Sequence, residues 1–497
     1  MEKHTERTTE IRICRYYAGG EWRESKSNVF ADIHDPSTGH VIARTPYCTP
    51  AEIEEAIAAA KAAYPGWRDK PAVERSQVLF RLRELLLENL EELTKLLAEE
   101  CGKAWSDAED DILKAKEATE IACGIPALMM GESLMNTFPD VDTVLYRESL
   151  GVFSGIVPFN FPAMIPMGWM TPFCIACGNT IVLKAASLTP QTVMAITELY
   201  AKAGLPPGVI NIVTCSKEEA DILLTHKDIK GVSFVGSTRV GRSVYSRAAC
   251  AGKRVQSLCE AKNHALVLKD APIAACADRI VDAAFGSTGE RCMALPVVVA
   301  EEEIADALAA AIVERAKKIK VGPAYERATQ MGPVISAKHK AFIEGRIATG
   351  VEEGATLLLD GRDYPVPGYE GGFYIGPTIF DHVRPDMHIG NTEIFGPVLC
   401  IKRVRDFEEG LALINDNPFA KGASIFTKSG YYAREFQRRS HGGMVGVNMG
   451  IPVPLGVFPF SGHKESFFGD QHCLGKDGIR FFTDSKSVTT RWFKEDE

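Results

Sequence analysis

From residue 151 onward the chain alternates between two textures. Short β-rich runs at 151–157, 180–183, 209–213 and 232–235 are separated by helical stretches near 191–203, 217–224 and 238–249. Parallel strands cannot be joined by tight turns, because each connection must cross back over the sheet through a dozen or more residues. The spacing therefore predicts β-α-β units around a parallel sheet, the α/β class. A second α/β region begins near Leu266, with strands predicted at 296–300 and 398–404. A chain of 497 residues carries a prior of about three domains.

Upstream of the alternation the pattern is helical. Thr49-Pro50-Ala51-Glu52 reads as a capping box with proline at the first helical position, opening a helix to about Ala63. Leu79, Leu82, Leu86, Leu90, Leu93 and Leu97 recur every three or four residues and predict a longer helical region closed by Gly102. Another helix is predicted from Trp105 to Cys123. Two segments fit neither half: residues 137–148, a candidate β-hairpin, and the last thirty residues, which end in strand-like Ser487-Val488-Thr489-Thr490.

Charge and thiols narrow the function. A net charge of -9 argues against nucleic acid or an anionic membrane as the main partner. The uncharged stretch 149–183 contains Pro158, Pro162, Pro166 and Pro172, which would break a membrane-crossing helix, so it reads as buried core and loop. Residues 1–10 are polar, without the apolar run of a leader. Thirteen cysteines without a spacing rule fit a reducing cytoplasm better than a disulfide framework. Cys174 and Cys177 form a lone pair with no histidine nearby, so they read as packing residues and no metal site is expected.

Three short segments carry candidate chemistry. Gly236, Ser237 and Gly241 follow an apolar strand and open a helix, whose free N–H groups suit a phosphate; a plain strand-to-helix turn is the alternative. Arg291 precedes Cys292, and a neighbouring cation favours the nucleophilic thiolate over the thiol; a small buried hydrophobe is the alternative. Asn160, between Phe159 and Phe161, is either a turn residue or an amide donor to a developing oxyanion.

Taken in order, Pro158-Phe159-Asn160-Phe161-Pro162, Lys184, the Gly236 to Gly241 turn, Cys292, Glu393-Ile394-Phe395-Gly396-Pro397 and Pro459-Phe460-Ser461-Gly462 resemble the aldehyde dehydrogenase superfamily over nearly the whole chain. Within it, Ala261-Lys262-Asn263-His264, Ser466-Phe467-Phe468-Gly469-Asp470 and Lys486-Ser487-Val488-Thr489-Thr490-Arg491-Trp492 look most like the CoA-acylating methylmalonate-semialdehyde dehydrogenases. The resemblance implies a Rossmann-type NAD-binding domain (1–130 and 152–256), an α/β catalytic domain (257–458) and a β oligomerisation segment (131–151 and 459–497) that pairs subunits into a homodimer or homotetramer. It also implies that Cys292 attacks the aldehyde and that Asn160 and the Cys292 N–H hold the oxyanion. Phe159, Lys184, Ser187, Gly236, Ser237, Gly241, Glu393 and Phe395 would line the cofactor site.

Three departures from the family pattern bear on chemistry. The glutamate that activates water in hydrolytic members falls on Leu258, which cannot act as a base. Glu260, two residues on, would be displaced by about 7 Å along a strand. Water attack on a thioester should then be slow, and coenzyme A is implied as co-substrate. Ser187 replaces a ribose-binding glutamate, which leaves NADP tolerable beside NAD. Of the two arginines that grip a substrate carboxylate, Arg291 matches one, but the other falls on Lys114, a point charge without a bidentate fork. The expected substrate is a short, anionic aldehyde such as methylmalonate or malonate semialdehyde. Sulfoacetaldehyde or propanal, a hydrolytic dehydrogenase releasing the free acid, and a non-catalytic descendant are the alternatives.

Overall fold

The computed structural model describes residues 11–494. The polar segment 1–10 and the last three residues of the 459–497 stretch lie outside the described residues.

Two sheets dominate. In the first, Arg254–Leu258, Ile229–Val235, Val152–Ile156, Thr180–Lys184 and Ile210–Val213 run parallel in that spatial order. Phe467–Gly469 closes one edge antiparallel, and the hairpin Tyr16–Ala18/Glu21–Arg23 closes the other. The chain enters at Val152–Ile156, builds outward to Ile210–Val213, then returns to build the other side from Ile229–Val235. A topological switch point results, with its crevice at the carboxyl ends of these strands. The Asn160 loop and the Gly236 turn both leave the sheet there.

The second sheet orders Thr356–Leu359, Thr378–Asp381, Val398–Val404, Val297–Glu301, His264–Val267, Gly422–Phe426 and Met444–Val447, with only Thr356–Leu359 antiparallel. Val297–Glu301 is buried along its whole length, as a strand covered on both faces requires. Leu258 ends a strand of the first sheet and His264 begins one of the second. This short connection sets the carboxyl edge of one sheet against the amino edge of the other. The cleft between them holds the candidate residues.

The predicted helices form, with shifts at their ends. Thr49 and Glu52 form the predicted capping box, but the helix Pro50–Arg68 runs past Ala63, through Pro65. Trp67, 1% exposed, holds the added turn by donating its indole N–H to the Ile175 carbonyl at 2.9 Å. The leucine row is two helices, Ala72–Glu88 and Leu90–Cys101, broken at Asn89, whose side-chain amide donates to the Leu85 carbonyl. Left-handed Gly102 ends the second, and the next helix spans Trp105–Cys123 as predicted. Residues 217–224 form only a tight turn, Glu219–Asp221, and a single helical turn, Ile222–Thr225, because Ser216 captures the Glu218 N–H. Cys174 and Cys177 are fully buried. Among the described residues no helix is long and apolar enough to cross a membrane.

A third, antiparallel sheet joins Ser133–Phe138, Val141–Ser149 and Thr483–Arg491. The hairpin begins four residues before the predicted 137, and the C-terminal strand pairs with it from Thr483↔Ser149 to Arg491↔Val141. Leu134, Met135 and Phe138 stand exposed on its outer strand.

Candidate active site

Cys292 lies on the approach to Val297–Glu301 and lines a cleft with Ala261, Asn263, Arg291, Glu393 and Phe395. The backbone leading to it is strained. Ser287, Thr288 and Gly289 have φ of 49°, 56° and 71°, a left-handed run that L-residues adopt only where surroundings impose it. Those surroundings are visible. The Asp107 carboxylate accepts from the Ser287 N–H at 2.8 Å, Thr288 donates its hydroxyl to the Gly332 carbonyl, and Arg291 bonds Ser287 Oγ at 3.0 Å. Gly289 is irreplaceable on space as well: a Cβ there would lie 2.2 Å from the Gly396 carbonyl oxygen.

Asn160 is 3% exposed and donates one side-chain N–H to the Glu290 carbonyl at 2.8 Å. Its second N–H remains for a ligand. Asn263 clamps the other side: its amide donates to the Cys292 and Ala294 carbonyls at 3.1 and 2.8 Å and accepts from the Gly422 N–H at 2.8 Å. Glu290 is buried, which pushes its carboxyl well above the usual range, and its Oε1 accepts the Ile335 N–H. Burial also raises the Cys292 thiol, opposed chiefly by the Lys421 ammonium.

The facing wall carries Glu393 and Phe395. Glu393 Oε1 accepts the Ala261 N–H at 2.9 Å, and enclosure pushes the carboxyl up to about 7 despite Lys421. Phe395 is left-handed at φ 59°, stacks edge-on against Phe159 at 5.9 Å between centroids, and has its carbonyl bonded to His339 Nε2. Leu258 is 2% exposed. Glu260 does not line the cleft with Cys292; Thr238 Oγ1 and Ser466 Oγ bond its backbone.

At the switch point, Gly236 and Ser237 end a strand and begin the 13-residue helix Thr238–Cys250. Ser237 at the N-cap makes no side-chain capping bond, so the first N–H groups stay open. A Cβ at Gly241 would fall 2.2 Å from Cys259 Sγ, so close packing of this helix on the next strand requires glycine. Lys184 ends Thr180–Lys184, its charged form disfavoured by burial, with no carboxylate in ion-pair reach among the described residues. Ser187 is half-buried three residues on. This crevice, with open donors and a partnerless cation, fits a dinucleotide.

The two residues expected to grip an anion are not alike. Arg291 lines the cleft, but its guanidinium is already paired with Asp107. Lys114 is exposed on the Trp105–Cys123 helix and pairs with Glu117 at 2.9 Å. Sequence reasoning missed Asp107, Asn263 and Lys421. Asn263 lies within Ala261-Lys262-Asn263-His264, whereas nothing local marks Asp107 or Lys421.

A strained loop before a cleft-lining cysteine, an amide with a spare donor and a crevice suited to a dinucleotide fit the nicotinamide-dependent oxidoreductases. The aldehyde dehydrogenase family model matches residues 22–488, and the chain belongs to that family. It is 46% identical to malonate-semialdehyde dehydrogenase 2 of Bacillus mycoides (strain KBAB4) over 97% of this chain and 99% of that one. It is also 46% identical to malonate-semialdehyde dehydrogenase 3 of Geobacillus kaustophilus (strain HTA426), over 97% of this chain and 100% of the relative. Methylmalonate-semialdehyde dehydrogenase from Oceanimonas doudoroffii superposes with a TM-score of 0.96 at 40% identity, covering 98% and 99% of the two chains. A Sinorhizobium meliloti 1021 protein solved in complex with NAD superposes equally well, with the same identity and coverage.

Proposed function

We propose that this chain oxidises a short, anionic semialdehyde with NAD and transfers the acyl group to coenzyme A. The observation that carries the acylating reading is Leu258, buried and apolar where a water-activating carboxylate would stand. The 46% identical malonate-semialdehyde dehydrogenases support the substrate class, and the NAD complex of the Sinorhizobium neighbour supports the cofactor.

In this reading the Cys292 thiolate adds to the aldehyde carbon, and the carbonyl π electrons move to oxygen. The free N–H of Asn160 and the Cys292 N–H hold that oxyanion. Lys184, Ser237 and the open N–H groups around Gly236 and Gly241 bind the nucleotide, Ser187 leaves room for either ribose form, and Glu393, Phe395 and Phe159 shape the nicotinamide end. When bound, the nicotinamide supplies the hydride acceptor. The acyl thioester left on Cys292 has no base-activated water against it, so the CoA thiolate attacks, the acyl–sulfur bond to Cys292 breaks, and acyl-CoA leaves. Arg291 orients the substrate anion once that anion displaces Asp107 from the guanidinium, with Lys114 a more distant charge.

A hydrolytic route has one observation in its favour: Glu393, raised to about 7, shares the cleft with Cys292 and has a base's affinity for protons. Steady-state nicotinamide reduction with and without CoA separates the two. Acylation requires turnover to depend on CoA with acyl-CoA as product; equal rates with free acid as product would refute it. Pairing of subunits through the hairpin that exposes Leu134, Met135 and Phe138 gives a dimer or tetramer, measurable by sedimentation. Thirteen free cysteines fit a reducing, cytoplasmic setting.

A further inference from the structure

The helix Trp105–Cys123 carries two carboxylates one turn apart, Asp107 and Asp111, and each holds a different loop of the site. Asp107 accepts from the Ser287 N–H at 2.8 Å and pairs with Arg291, the residue before Cys292. Asp111 accepts from the Met164 N–H at 2.8 Å through Oδ1, and its Oδ2 takes the Lys103 ammonium at 3.0 Å. That ammonium stands over the Phe161 ring, 3.5 Å from its centroid. Asp111 is fully buried and Lys103 is 4% exposed.

A buried ion pair is a poor source of stability, since apolar residues of similar volume commonly do as well or better. What this pair touches gives it a purpose. Among the described residues, the polar contacts of the two side chains beyond each other are Phe161 and Met164, in the segment that directly follows Asn160. On the other side of Asn160, the Phe159 carbonyl accepts the Thr189 hydroxyl at 3.0 Å. The Asn160 amide itself reaches across to the Glu290 carbonyl, on the loop that Asp107 holds.

We propose that Asp111, its charge balanced by Lys103, is a positioning residue that holds the Asn160 amide in register with the Cys292 loop. The inference rests on the reading of Asn160 as the oxyanion donor. One helix then spans both halves of the reacting centre: Asp107 fixes the loop that carries the nucleophile, and Asp111 the loop that carries the donor. Misplacing a reacting group by about 1 Å can cost about 100-fold in rate. A loop released at Met164 should therefore lower kcat while aldehyde and cofactor still bind.

The test compares two paired variants of the full-length protein, each containing Lys103→Met so that no buried charge is left without its partner. Lys103→Met/Asp111→Asn keeps an oxygen for the Met164 N–H, and its kcat should stay within about twofold of the parent. Lys103→Met/Asp111→Leu removes that acceptor. Its kcat should fall about 10- to 100-fold, with KM for malonate semialdehyde and NAD affinity changed less than about twofold. Added to Asn160→Ala, the Leu pair should lower kcat by less than about twofold further, because both changes act through one donor. A Leu pair that melts like the parent and keeps its kcat overturns the proposal, as does a loss repeated in full beside Asn160→Ala. If the Leu pair does not fold, a folded Asn pair that loses about tenfold or more in kcat still overturns it. Asn160→Ala with the kcat of the parent would instead overturn the oxyanion assignment, an outcome that neither paired variant affects.

Discussion

The two edges that form the cleft are built on opposite plans. Among the described residues, the carboxyl edge of the first sheet leaves groups unsatisfied: the open N–H groups at Ser237, Lys184 without an ion-pair partner, the spare N–H of Asn160. The amino edge of the second sheet is over-determined, with Ser287, Thr288 and Phe395 held left-handed and nearly every polar group around Cys292 bonded to the protein. Binding needs donors that a ligand can claim, and chemistry needs atoms that cannot move. The same crevice supplies both because each requirement falls to a different sheet.

Substitutions on the rigid edge should therefore cost fold as well as rate, and those on the open edge should cost rate or binding with little loss of fold. Cys292→Ala should abolish the pre-steady-state burst of reduced cofactor and lower turnover by at least about three orders of magnitude. Asn160→Ala, which removes the open-edge donor that the proposed mechanism assigns to the oxyanion, should lower kcat by about 100- to 1000-fold with little change in cofactor affinity, measured by fluorescence titration. Gly289→Ala places a Cβ against the Gly396 carbonyl at a left-handed position, and urea melts should show a loss of about 1–3 kcal/mol. Arg291→Ala should raise KM for malonate semialdehyde about tenfold more than for propanal, whereas Lys114→Ala, already paired with Glu117, should change either KM less than about twofold.

The smallest effect is in pH. Glu393 sits at about 7 in the folded chain against 4.5 as its ordinary value. The sign follows from its raised folded value: the contribution is complete below 4.5 and is lost as pH rises through 7. Melting temperature should fall over that window, and Glu393→Gln should flatten part of the fall. Glu100, also raised to about 7 by burial, accounts for a further part.

The open edge was the more legible of the two in the sequence. A strand, a glycine turn and a helix follow one another locally, so Gly236 and the helix after it could be read from spacing, as could both ends of Trp105–Cys123 and the strand Val398–Val404. The rigid edge depends on distant partners. Nothing near Ser287 announces a left-handed residue; Asp107, 180 positions earlier, imposes it. The break at Asn89 was hidden because leucines on both sides keep one helical phase. Lys421 looks like a surface charge until the sheet closes over it.

The C-terminal strand also sets an order on synthesis. Lys486 pairs with Glu148, 338 residues earlier, and Phe467–Gly469 completes the edge of the first sheet. At a ribosome pace of about 5–20 residues per second, the 133–149 hairpin waits roughly 20–70 s for its third strand. Through that interval it offers an unpaired edge beside Leu134, Met135 and Phe138. A growing chain of this kind is most open to capture by chaperones, or to pairing with a second nascent copy, after its first sheet is mostly made and before its last thirty residues emerge.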